Sequence, residues 1–205
     1  MKQAERRERT KRLLLEATAS LIREKGCAKT SLQDIMERSG LSKGGIFHYV
    51  KNKDELFCMV LQEWLEETDR RFCRATMEKE DKFGGPLGEI VARLPELDDP
   101  NDVGNQVFLY LLGKNGQDEA RDVLRQFYAQ SFHTSRQWIV LGQEAGVIPK
   151  SVDADKMADL FVLIGLGMRV RSGIGQPFAF ESADFAALMA ELLQRGESAQ
   201  RPKKG

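Results

Sequence analysis

Cysteine and histidine are scarce in this chain. It has three cysteines, Cys27, Cys58 and Cys73, and two histidines, His48 and His133. An odd number of cysteines without zinc-ligand spacing argues against a disulfide framework and points to reduced thiols. A redox sensor is the alternative reading of those thiols. Two histidines leave little for acid–base catalysis near neutral pH, and no H-E-x-x-H, P-loop or G-x-S-x-G pattern occurs. The run GLGMRVRSGIG imitates a dinucleotide fingerprint but has Val170 where the third glycine belongs, and no strand precedes it. The expectation is a protein that is not an enzyme and needs no cofactor or metal. No apolar run approaches the roughly 20 residues of a membrane span. The charged opening, MKQAERRERTKR, is unlike a signal peptide. Action in the cytoplasm, away from membranes, is therefore expected.

What the chain does have is charge, unevenly placed. The formal net charge is zero. Yet residues 1–53 hold 13 Lys and Arg against 6 Asp and Glu, a charge of +7, and the remainder holds 18 against 25, a charge of −7. A basic first part suits a polyanion, and an acidic remainder stays clear of its phosphates.

Within the basic part, TSLQDIMERSGLSKGGIFHYVKNK, residues 30–53, carries a dense set of local signals. Thr30 with Gln33 reads as a capping box opening a helix, and Ser39-Gly40 reads as its stop. Ser42 is an N-cap for a second helix, in which Ile46, Tyr49 and Val50 fall on one buried face while Lys43, Gly44, Gly45, Phe47 and His48 occupy the other. Asn52 with Glu55 reads as a further cap. This is the pattern of a helix-turn-helix, whose second helix enters the DNA major groove by its first turn. Each glycine costs a helix roughly 1 kcal/mol relative to alanine. Bare backbone, however, approaches phosphates and base edges closely, and leaves Lys43 free to reach guanine. A plain structural corner is the competing reading of the same pair of helices.

From about Thr10 to Leu61, with the run SLQDIMERSGLSKGGIFHYVKNKDEL, the chain resembles the N-terminal domain of the TetR family of bacterial transcriptional regulators. The resemblance implies contacts to phosphate and base from Ser31 and Gln33, base reading and close approach at Lys43, Gly44 and Gly45, and packing of Phe47 against thymine methyls or the sugar-phosphate. It further implies phosphate contacts from Tyr49 and Lys53. Gly45 stands where many members have threonine and Phe47 where many have tyrosine, so two hydroxyl contacts are missing and half-site preference does not transfer. With the capping residues and the outward face included, the candidate DNA-binding set is Thr30, Ser31, Gln33, Ser42, Lys43, Gly44, Gly45, Phe47, His48, Tyr49 and Lys53.

Elsewhere the periodicity predicts an all-α chain of about nine helices: a three-helix DNA-binding domain followed by a helical ligand-binding and dimerisation domain. Residues 1–12 read as a frayed lead-in or an arm, with Arg6, Arg7 and Arg9 able to reach a minor groove. Leu13, Leu14, Ala17, Leu21 and Ile22 then stripe a first helix ended by Gly26. A long helix over 54–80 follows, a lever of roughly 40 Å, and DKFGGP at 81–86 is a turn. A short helix at 87–94, a PELDDPND loop, and helices at 102–114, 118–145, 153–171 and 182–194 complete the pattern. The expected domains are 1–53 (with the boundary inside the 54–80 helix), 54–196, and a disordered tail at 197–205.

The 153–171 helix is apolar nearly all round, which means burial on two sides. A homodimer interface is expected from Leu160, Leu163, Ile164, Gly167, Met168, Phe185, Leu188, Met189 and Leu192, as the resemblance also implies. Candidates to line an effector pocket are Phe108, Leu111, Leu112, Phe127, Tyr128, Phe132, His133, Trp138 and Phe161, with Tyr110 beside them, and core packing is the competing role for each. The resulting expectation is a repressor that binds an inverted-repeat operator in double-stranded DNA as a dimer and is released by a small, largely apolar effector. The alternatives are a DNA-binding regulator controlled by a protein partner, and a helical enzyme with a vestigial head.

Overall fold

The computed structural model describes residues 2–78, 90–114, 116–175 and 178–194. The 81–86 turn, residues 87–89 of the short helix and the 197–205 tail lie outside the described residues. Among the described residues there are eight α-helices, a helical turn at 90–93, a 3-10 segment and no strand. The helices are α1 Lys2–Lys29, α2 Leu32–Ser39, α3 Lys43–Phe47, α4 Lys53–Glu78, α5 Val103–Leu112, α6 Asp118–Glu144, α7 Ala154–Ser172 and α8 Ser182–Gln194, and the 3-10 segment is Leu94–Asp98. The chain is all-α, as its periodicity predicts.

Two compact units form, and they do not follow chain order. The first holds residues 1–66 and 100–127, the second 67–99 and 128–205.

In the first unit, α1 starts at residue 2, which corrects the frayed lead-in. Thr10 Oγ1 donates to the Arg6 carbonyl and Lys11 pairs with Glu63 at 3.4 Å, so this charged segment is tied down as helix. The buried stripe of α1 is Leu14, Ala17, Thr18, Leu21 and Ile22, at the i, i+3, i+4, i+7, i+8 spacing, whereas Leu13 is exposed. Thr18 fits this apolar face because its hydroxyl donates to the Leu14 carbonyl at 2.7 Å. Gly26, at φ 77° and ψ 164°, leaves the helical conformation, and a last turn runs on to Lys29. Ile35, Ile46, Val50, Leu56, Phe57 and Leu61 complete the core around α1, none more than 3% exposed. α5 packs on α1 with Val107 and Leu111 fully buried.

The second unit is built around Trp138, Ile139, Phe161, Met168, Phe185, Met189 and Leu193, together with Phe72, Leu94, Ile148, Val152 and Ala158. The expected PELDDPND loop is in part the 3-10 segment, with Pro95 in its first turn, where a missing N–H costs nothing. This segment packs on α7 and α8. Asp98 in it accepts two hydrogen bonds from the Arg171 guanidinium, at 2.8 and 2.7 Å.

Candidate nucleic-acid interface

α2 and α3 are positioned by caps and ion pairs that leave the outer face of α3 unused. The α2 capping box is Ser31 with Asp34, not Thr30 with Gln33: Ser31 Oγ accepts from the Asp34 amide at 3.2 Å, and the Ser31 amide donates to Asp34 Oδ2 at 2.8 Å. The shift by one residue has a physical cause. Thr30 is only 1% exposed, and its hydroxyl donates to the Gly26 carbonyl at the kink of α1. Gln33 instead donates to Glu37. Gly40, in the left-handed conformation at φ 67°, closes α2 by donating to the Met36 carbonyl.

Two ion pairs fix α2 to α1: Lys25 to Asp34 at 2.7 Å, and Arg38 to Glu24 in a fork of 2.6 and 2.7 Å. The Arg38 hydrogen bonds hold the Glu24 carboxyl down at about 2. The Lys25 and Ser31 hydrogen bonds hold Asp34 well below the carboxylate range. Leu21, Glu24, Lys25, Asp34, Glu37 and Arg38 line a shallow groove here. Four of those six are matched as salt bridges, which leaves the groove one carboxylate in excess, Glu37, itself accepting a hydrogen bond from Gln33.

α3 begins at Ser42, whose Oγ accepts from the Gly45 amide at 3.2 Å. Its helical hydrogen bonding gives way to a turn after Phe47, but Ile46 and Val50 are buried at 1% and 3% and anchor it. Outward lie Ser42, Lys43, Gly44, Phe47 and His48, all exposed, with Gly45 half-buried. The Lys43 ammonium stands 5.8 Å from the Phe47 ring centroid, a cation–π distance, and has no carboxylate partner among the described residues. Ser31 and Gln33 are exposed too. Tyr49 is half-buried and donates to the Arg7 carbonyl at 3.1 Å.

Two members of the candidate set stand apart. Thr30 is buried, as above, and Lys53 turns inward, its Nζ donating to the Cys27 carbonyl at 3.3 Å. Conversely, Arg6, Arg7, Arg9 and Arg12 are exposed on a formed helix rather than on an arm. Helix-forming residues without glycine or proline over 2–12 were the signal for that.

The candidate pocket residues divide between the units. Phe108, Leu111 and Phe127 are buried in the first, where Phe127 meets the rings of Phe108 at 5.0 Å and Trp64 at 5.8 Å. Leu112 is exposed. In the second, Trp138 and Phe161 are core and Phe132 is packed against it, while Tyr128 is exposed and donates to Asp159. His133 is exposed, which removes its expected role as the polar member of a cavity.

Among the expected dimer residues, Met168, Phe185 and Met189 are buried in the second unit's own core, at 2%, 2% and 6%, and present nothing to a partner. Leu163 and Gly167 are exposed, and Leu160, Ile164, Leu188 and Leu192 are half-buried. The thiols are poor redox candidates. Burial pushes Cys27 up to about 12 and Cys58 up to about 11, and raises Cys73 as well, so all three stay protonated at neutral pH. Among the described residues no helix is long and apolar enough to cross a membrane, and no three His, Cys, Asp or Glu group as for a metal.

Three helices, the third of which turns Lys43, Gly44, Phe47 and His48 outward, make up a helix-turn-helix domain. Residues 14–58 match the model of the family described as bacterial regulatory proteins, tetR family. The N-terminal segment of the chain is thus a domain of the TetR type. It is 28% identical over 120 residues to the uncharacterized HTH-type transcriptional regulator YfiR of Bacillus subtilis, covering 56% of each chain. It is 36% identical over 84 residues to the HTH-type transcriptional regulator TtgR of Pseudomonas putida, covering 41% of this chain and 39% of that one. The chain thus spans about half the length, or less, of these curated relatives. Its fold is shared with SmeT, solved as a triclosan complex, at a TM-score of 0.67 and 15% identity over 90% of this chain and 89% of that one. Both curated relatives are described as transcriptional regulators, and neither as an enzyme.

Proposed function

We propose that the chain binds an inverted-repeat operator in double-stranded DNA as a homodimer and acts there as a repressor that a small, largely apolar ligand releases. The observation that carries the DNA half is the outer face of α3. Lys43 has no carboxylate partner among the described residues, Gly44 faces open space, and Phe47 is 43% exposed, while Ile46 and Val50 hold the helix from beneath. The reading head is the 1–53 segment, and the contacts assigned to it are Ser31, Gln33, Ser42, Lys43, Gly44, Gly45, Phe47, His48 and Tyr49.

Dimerisation is supported by a row on α7 and just beyond it. Leu163, Gly167, Val170 and Ile174 follow one another at i+4, i+3 and i+4. Leu163, Val170 and Ile174 are 65%, 43% and 61% exposed. A contiguous apolar row of this kind marks an interaction surface, and glycine within it admits a close helix. Ligand release rests on family likeness, triclosan being the molecule in the SmeT complex. It works by population shift, the ligand favouring a head spacing that misses one half-site when the other is engaged.

A second reading, control by a protein partner without a small effector, is favoured by the mutual packing of Phe108, Phe127 and Trp64, which fills the space that these aromatics would otherwise offer.

Selection of random duplex DNA by the purified protein, followed by titration of the selected site at two salt concentrations, tests the first reading. An inverted repeat with steep salt dependence is expected. No enriched sequence would refute it.

A further inference from the structure

The first turn of α4 is gripped from two sides, and the grip begins at the α2 cap. In a continuous helix the amide of residue 31 would bond the carbonyl of residue 27. Here the Ser31 amide donates to Asp34 instead, which leaves the Cys27 carbonyl to accept from Lys53 Nζ at 3.3 Å. The Lys53 ammonium also stands 5.5 Å from the Phe57 ring centroid and 5.4 Å from that of Tyr110, and these two rings meet edge to face at 5.1 Å. Tyr110, on α5, donates its hydroxyl to Asp54 Oδ1 at 2.7 Å. Asp54 Oδ2 accepts from Gln117 at 3.2 Å and pairs with Lys114 at 3.7 Å. Successive residues of one turn, Lys53 and Asp54, therefore hold the end of α1 and the end of α5. This turn starts six residues after Phe47, with Val50 buried between them, so its position sets that of the recognition helix.

We propose that Lys53, Asp54 and Tyr110 form a latch seating α5 against the base of the recognition helix, which makes Lys53 a positioning residue of the DNA reader and not one of its phosphate contacts. The role as DNA reader is the function proposed above. The latch departs from what the family resemblance implies for Lys53. It also gives α5, outside the helix-turn-helix, a direct hold on it: movement of Tyr110 releases a ring from Lys53 and a hydrogen bond from Asp54 together.

The test uses the full chain with Lys53→Met, which keeps the apolar stem and removes the charge, and Tyr110→Phe, which keeps the ring and removes only the hydroxyl. Amide hydrogen exchange at residues 43–50 and duplex binding across a salt series are measured for both. Each variant is expected to raise exchange at 43–50 by about tenfold and to weaken binding several-fold, with an unchanged slope of log K against log salt. A merely folded-state defect would raise exchange throughout the chain instead, which counts against the latch. A lost phosphate contact would lower the slope by about 0.9 per protomer. That result for Lys53→Met, with exchange unchanged, overturns the proposal, as does Tyr110→Phe exchanging like the parent chain. Should Lys53→Met not fold, Tyr110→Phe carries the test. Should the parent chain bind no duplex, the DNA-reading proposal fails, and exchange at 43–50 alone decides the latch.

Discussion

The recognition helix and α7 both expose chemistry that the packing of a single chain does not use, and they expose opposite kinds. α3 presents an ammonium with no carboxylate partner among the described residues, beside an exposed ring and bare backbone. α7 and its C-terminal end present Leu163, Val170 and Ile174. Each arrangement has a cost to the lone chain: glycine in a helix in one case, wetted aliphatic surface in the other. Exposed apolar residues occurring singly, such as Leu13 and Val147, are ordinary and carry no such meaning. It is on the row on α7 and the concentration at the first turn of α3 that the proposed partners rest, an apolar helix for one and a polyanion for the other.

The largest effect should come from reversing the chemistry of α7. Placing a charge in the row with Leu163→Arg and Ile174→Arg is expected to cost an assembled dimer about 3–5 kcal/mol, the scale of an uncompensated buried charge. Sedimentation equilibrium should then show monomer where the parent chain shows dimer, with the thermal transition of the chain's own core little changed. An unchanged dimer would place the interface elsewhere. On α3 the matching contrast lies between faces one residue type apart. Ile46→Ala should destabilise folding by about 2–5 kcal/mol, as buried aliphatic truncations do. Lys43→Ala should leave stability within about 0.5 kcal/mol while removing about 1–3 kcal/mol of DNA binding and relaxing base preference. Denaturant melts and competition binding separate the two, and equal stability losses would erase the distinction between the faces.

Gly44 gives a smaller effect with a more informative sign. A Cβ built there meets nothing within 4 Å, and the backbone is not in the left-handed region, so nothing inside the chain requires glycine. Gly44→Ala should therefore raise stability by about 0.5–1 kcal/mol and weaken duplex binding. Gain in both would mean that the glycine serves neither fold nor partner.

How far the sequence already contained this follows from the range of the signals. Helices α6 to α8 were legible within two residues because apolar periodicity is written along each of them. The stop at Gly40 and the start at Ser42 were legible because caps are local. Residues 2–12 carry only the weaker signal of helix-forming composition, because a helix held by Lys11–Glu63 and Tyr49–Arg7 contacts has no apolar stripe of its own. The cap at Ser31 was displaced from Thr30 because the Thr30 hydroxyl donates back to the Gly26 carbonyl four residues earlier, a bond set by the kink at Gly26 and not by a capping pattern. Lys53 shows the limit most plainly: an exposed-looking lysine at a helix start is drawn inward by a carbonyl 26 residues away and by a ring on α5. For α7, periodicity announced two buried sides but did not say which side the chain itself would cover. Met168 went inward and Leu163 outward.

Proton concentration sharpens the comparison at its smallest scale. Glu24 and Asp34, which tie α2 to α1, have folded-state pKa values depressed by Arg38 and by Lys25 with Ser31, Glu24 from 4.5 to about 2. For a depressed carboxyl, the stabilisation is fully present above the unfolded-state pKa and is lost as pH falls through the folded one. The Tm gap between the parent chain and Glu24→Gln should thus be widest above about pH 5 and close between about 4.5 and 2. It should also shrink with added salt, because the Glu24 side chain is half exposed. The α7 row of Leu163, Gly167, Val170 and Ile174 contains no titratable group. Over the upper part of this window, while the chain remains folded, the dimer dissociation constant should change less than the Tm gap does. A gap that stayed constant with pH would show that Glu24 acts through packing rather than charge. A dimer that weakened first would move the acid-sensitive contacts from the head to the interface.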